Sequence, residues 1–131
     1  MTMTILPNYD EREAPPLILI VDDELPLVRM LVLMVQDMGY AVLTAGNGEA
    51  AIEAIAHAER RPALVISDVM MPCMDGLALA RTLHEDPDLK TIPIILMSAV
   101  NHPKAKAVGD HFIAKPFDLD ELADLIDLHC A

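Results

Sequence analysis

The sequence has no tryptophan and only two Phe and two Tyr. Since 53% of its residues are nonetheless hydrophobic, a packed core must be aliphatic, built from Val, Ile, Leu, Met and Ala, and a disordered chain is excluded. Cysteine is scarce as well: Cys73 and Cys130 stand far apart and form neither a CxxC pair nor a disulfide framework, so a reducing compartment is expected. Basic residues are few, nine Lys and Arg against 21 Asp and Glu, giving a formal charge of -12 with no compensating basic run. Such a balance opposes close approach to polyanions, so neither nucleic acid nor an anionic membrane is expected as a direct partner. No stretch approaches the roughly 20 apolar residues that cross a bilayer. Asp10, Glu11 and Glu13 occupy the region where a signal peptide would be apolar, which points to the cytoplasm.

What is present fits one domain, because 131 residues can build one substantial core but not two. Residues 1–16 lack periodicity and end in Pro15-Pro16, so they read as an N-terminal tail, with the domain spanning 17–131. Within it, continuous short apolar runs alternate with longer segments of helical period. The runs are Leu17 to Val21, Tyr40 to Ala45, Ala63 to Ser67, Ile92 to Met97 and Phe112 to Ala114. Strands buried on both faces and linked by covering helices give this pattern.

Helices are expected over Leu25 to Met38, Gly48 to about Ala58 behind an Asn47 cap, the Leu77–Leu83 segment, and the stretch after Asp118, whose Glu121 completes a capping pattern. Between residues 101 and 110, Pro103 and Gly109 leave room for only about two helical turns. Five strand–helix pairs with right-handed crossovers predict a doubly wound α/β fold, a five-stranded parallel sheet with helices on both faces and a short or irregular fourth helix.

In such a sheet, binding sites lie beyond the carboxyl ends of the strands. Here those ends carry Asp22 and Asp23, then Asp68, Ser98 and Lys115, so four strands deliver polar groups to one edge. Carboxylates brought this close repel one another unless a cation sits among them. Hard oxygen donors without Cys or His favour Mg²⁺ over zinc, and a lysine and a serine beside them supply parts for phosphoryl transfer. Taken singly, Asp22 and Asp23 would read as a solvated helix entry, Ser98 as a cap, Lys115 as a surface charge and Phe112 as core; it is their combination that reverses the balance. His57, His84, His102, His111 and His129 show no metal spacing and read as surface residues. Cys73 beside the site reads as an ordinary loop residue.

Val21-Asp22-Asp23-Glu24, Ser67-Asp68-Val69-Met70-Met71-Pro72 with Asp75-Gly76, Met97-Ser98-Ala99 and Lys115-Pro116-Phe117 occur in the order shown by response regulator receiver domains, and the chain resembles that family from residue 17 to about 129. The resemblance implies a flavodoxin-like sheet of order 2-1-3-4-5, with Asp68 as phosphoacceptor. It implies Mg²⁺ as cofactor, held by Asp23 and Asp68 directly, by Asp22 through water and by the Met70 carbonyl. Lys115 would pair with Asp68 and then with the phosphoryl group, while Ser98 and Phe112 would form the switch. The Lys115-Pro116 bond is of a kind often cis in the family.

Two departures stand out. The interval from Ser98 to Phe112 is shorter than receivers usually have, and Phe112 lacks the hydroxyl that many relatives carry there. Met70 and Val100 are apolar where relatives place polar side chains near the hydrolytic water, which predicts slow loss of the phosphoryl group. With the chain ending at Ala131, directly after the last helix, a stand-alone regulator is expected. Its partners would be a histidine kinase or histidine phosphotransfer protein as donor and a downstream target protein, and it would act as a signalling switch rather than as an enzyme on outside substrates. The alternatives are a phosphorylation-independent adaptor and an aspartyl phosphohydrolase, whose nucleophile pattern Asp22-Asp23-Glu24-Leu25 does not match.

Overall fold

A computed structural model describes residues 14–100 and 102–130. Five parallel strands, β1 (Leu17–Val21), β2 (Ala41–Ala45), β3 (Leu64–Asp68), β4 (Ile94–Ser98) and β5 (His111–Ala114), form one sheet in the order β2-β1-β3-β4-β5. The helices α1 (Leu25–Asp37), α2 (Gly48–His57), α3 (Gly76–Glu85), α4 (Pro103–Val108) and α5 (Leu119–Cys130) alternate with them. This is the doubly wound fold expected from the sequence. The tail reading for residues 1–13 lies outside the described residues.

The period of two along each strand divides the core. Leu19, Val21, Val65, Ile94 and Leu96 pack on one face with Leu79, Ala80 and Leu83 of α3, Ala51 of α2 and Ala105 of α4. Ile18, Ile20, Ile66, Ile95 and Met97 pack on the other with Leu31 and Val35 of α1 and Leu122 and Ile126 of α5. All five residues of β1, β3 and β4 are buried, which is why these strands read as unbroken apolar runs rather than alternating ones.

Local chemistry sets the boundaries. Pro26 sits in the first turn of α1, and Gly39, at φ +96°, follows the helix in a conformation that other residues adopt only at a cost. The Asn47 and Asp75 side chains cap α2 and α3 by accepting from Ala50 N (2.9 Å) and Ala78 N (2.8 Å). β4 begins at Ile94, not at Ile92: Pro93 has no N–H to give the ladder, although its carbonyl accepts from Val65 N at 3.0 Å. α4 has six residues, the shortening that Pro103 and Gly109 implied.

The histidines need a correction. His57 is exposed, but His84, His102, His111 and His129 are partly buried, and the His111 and His129 rings meet edge to face at 4.9 Å where β5 lies against the last turn of α5. That pairing joins residues far apart in sequence and leaves no local signature. Among the described residues no helix is long and apolar enough to cross a membrane.

Candidate functional site

The carboxyl edge of the sheet is where four strands stop on polar residues. Asp22 follows β1 and is buried; its backbone N–H donates to Ala45 O of β2 (3.1 Å), and its Oδ1 accepts from Glu24 N (2.9 Å), folding the chain back at the entry to α1. Asp68 ends β3 with 5% of its surface exposed. Ser98, fully buried, ends β4, and its Oγ accepts from Val100 N at 3.2 Å. Lys115 leaves β5, with its backbone N–H bonded to Ser98 O (2.8 Å) and a cis bond to Pro116.

Three carboxylates meet at the lysine side chain. Lys115 Nζ lies 3.0 Å from Glu24 Oε1, 3.1 Å from Asp22 Oδ2 and 3.4 Å from Asp68 Oδ2. Its burial works against the charged ammonium, but the hydrogen bonds to Glu24 and Asp22 and the charges of Asp22 and Asp68 outweigh that and hold its pKa above the ordinary value. Asp68 is pushed up from the usual carboxylate range, first by burial and then by the charge of Asp22, with Lys115 pulling the other way.

The acceptor loop is held from behind. Gly76 N donates to Val69 O (2.9 Å), and a Cβ on Gly76 would collide with the Asp68 carbonyl oxygen, so only glycine lets α3 start so close to the strand end. Cys73 in the same loop is exposed and takes φ 67°. Met70 and Val100 flank the site as exposed apolar side chains. Phe112 is partly buried on β5, with Lys106 Nζ 5.7 Å from its ring centroid.

Among the described residues, carboxylate oxygens of Asp22, Glu24 and Asp68 approach within 4.8 Å of one another. Asp23 is exposed and stands outside this group. Glu24, which the sequence reading did not single out, takes part because the Asp22 turn and Lys115 draw its side chain to the centre. Its only signal was its place in the acidic run after β1. A cluster of oxygen donors with no imidazole or thiolate suits a hard cation such as Mg²⁺.

A parallel sheet of this order, carrying a buried aspartate beside two further carboxylates and one lysine at its carboxyl edge, gathers the groups that phosphoryl transfer uses. The model of the response regulator receiver domain matches residues 18–127, and the chain belongs to that family, part of the two-component signalling systems. It is 37% identical over 110 residues to "Probable transcriptional regulator ycf27" of Porphyra purpurea, covering 80% of this chain and 43% of that protein. The chain spans between 41% and 50% of the length of eight such relatives.

Among solved structures, the signal receiver domain of a signal transduction histidine kinase from Syntrophus aciditrophicus has a TM-score of 0.79 and 36% identity, covering 86% of this chain and 88% of that one. Response regulator protein TrrA from Thermotoga maritima, solved in complex with Mg²⁺-BeF, has a TM-score of 0.77 and 32% identity, covering 86% and 97%.

Proposed function

We propose that the chain is a phosphorylation-controlled switch in which Asp68 accepts a phosphoryl group from a histidine kinase or histidine phosphotransfer protein. The observation that carries this reading is the Lys115 ammonium, held 3.4 Å from the Oδ2 of a buried Asp68 at the edge of the sheet. In the transfer, an Asp68 carboxylate oxygen forms a bond to phosphorus while the bond from phosphorus to the donor's imidazole nitrogen breaks, and that nitrogen keeps the electron pair. Lys115 provides a cation for the equatorial oxygens, and the Ser98 hydroxyl provides a hydrogen bond to one of them. Asp22, Asp23, Glu24, Asp68 and the Met70 carbonyl supply the candidate donors for Mg²⁺. When bound, the ion would offset the charge gathered on the phosphoryl oxygens.

Output follows from a shift between two states, and the acyl phosphate drives it only as far as Ser98 and Lys115 meet the new oxygens better in one of them. Phe112 on β5 is the aromatic that would repack with Ser98. The net charge of -12 favours output through a protein target over direct contact of this domain with nucleic acid; a cytoplasmic setting belongs to the same reading, from the family. Slow hydrolysis fits the apolar, exposed Met70 and Val100, neither of which can orient a water.

The test is intact-mass measurement over time after mixing the protein with a small acyl phosphate and Mg²⁺, beside an EDTA control and an Asp68→Asn variant. A single phosphoryl gain is expected that needs both Mg²⁺ and Asp68 and decays over many minutes. A decay within seconds would sink the role given to Met70 and Val100. Absence of any gain in the folded protein would make the chain a phosphorylation-independent adaptor.

A further inference from the structure

Lys115 has more carboxylates than the transfer reaction asks of it. Asp68 is the partner that the chemistry needs, yet Glu24 and Asp22 sit closer, at 3.0 and 3.1 Å against 3.4 Å. The three partners also differ in exposure: the side chain of Asp22 is fully buried and that of Asp68 is 8% exposed, whereas Glu24 is 61% exposed and free to move with the ammonium. The backbone of Glu24 is held beside the site, since its own N–H is tied to Asp22 Oδ1 at 2.9 Å, and from there the side chain reaches Lys115.

Lys115 takes Oδ2 of both Asp22 and Asp68, and a divalent cation drawn to the same carboxylates would repel the ammonium across a poorly solvated gap. A cation that uses those carboxylates therefore loosens the hold of Lys115 on them. We infer that Glu24 is a positioning residue that keeps Lys115 at the edge of the site while Asp22 and Asp68 turn to Mg²⁺, so that the lysine stays within reach of the incoming phosphoryl group. This rests on the receiver reading above and adds to it the regulation of the same site. Without Glu24, the ammonium has only the two carboxylates the cation requires, and the competition between them sharpens.

The consequence is a coupling between Glu24 and Lys115 in cation affinity, separate from the plain loss of one negative charge. Mg²⁺ titrations followed by amide chemical shifts, with no phosphodonor present, would be run on the wild type, Glu24→Gln, Lys115→Gln and the double variant. Removing the Glu24 charge is expected to weaken Mg²⁺ binding in both backgrounds. The loss should be larger when Lys115 is present, by roughly two- to fivefold, the range that a partly exposed ion pair contributes. An equal or smaller loss in the wild-type background would overturn the inference, since Glu24 would then act as bulk charge or as a ligand in its own right. Mg²⁺ binding coupled in this way, but without phosphoryl gain in the mass experiment, would sustain the role of Glu24 and remove the receiver chemistry. Failure of the wild type to bind Mg²⁺ would remove both.

Discussion

Asp68 is a reactive group kept at a cost to the fold. Burial and the neighbouring Asp22 raise its pKa above the ordinary 3.8 that it has in the unfolded chain. Between those two values the native state holds more protons than the unfolded state, so stability falls as pH rises through that window, and above it the penalty is fully present. Asp68→Asn keeps the shape and removes the charge, while Lys115 retains Asp22 and Glu24. In EDTA the variant is expected to melt above the wild type at about pH 7, with the gap closing towards about pH 4. A thermal scan in which the variant melts lower at neutral pH would show that the Lys115 pairing outweighs burial. At this scale the sequence revealed the parts but not their contacts. Asp22, Asp68, Ser98 and Lys115 were legible because each ends a strand. The capture of Lys115 by Glu24 was not, because it depends on where two flexible side chains settle.

The loop from β3 to α3 is the most constrained element around the site. Its geometry depends on Gly76, where an added methyl would run into the Asp68 carbonyl, a backbone atom that cannot step aside. Gly76→Ala is expected to cost about 1–3 kcal/mol, as overpacking usually does. It should also slow phosphorylation, because the displaced backbone is that of the acceptor itself. Urea unfolding beside the intact-mass assay checks both, and a variant as stable and as fast as the wild type would contradict the close approach. Most elements could be read from the chain for one physical reason: a sheet covered on both faces writes its strands as apolar runs, and Asn47 and Asp75 mark helix starts. The start of β4 is less legible, because Ile92 is buried and apolar without being in the ladder, which Pro93 keeps from extending back to it. The His111–His129 contact has no signature in the chain because adjacency across β5 and α5 is a property of the packing.

For the molecule as a whole, the excess of acid over base is a standing self-repulsion. Screening shortens the reach of each charge from about 30 Å at 0.01 M salt to about 10 Å at 0.1 M. With a net charge of -12, the melting temperature is expected to rise by a few degrees across that range, without any specific ion being required. A falling or flat melting curve in sodium chloride would mean that attractive pairs such as Lys115 with its three carboxylates dominate the balance. The fold class was legible at this scale because alternating runs and helices allow few topologies once crossovers are right-handed. The sheet order came from resemblance rather than from periodicity.

The bond from Val100 N–H to Ser98 Oγ joins the floor of the site to the loop that leads into α4. If the hydroxyl rotates towards a phosphoryl oxygen, that amide loses its acceptor and the loop must find another or open to water. Exchange of that one backbone proton with solvent would then report the turn of the serine.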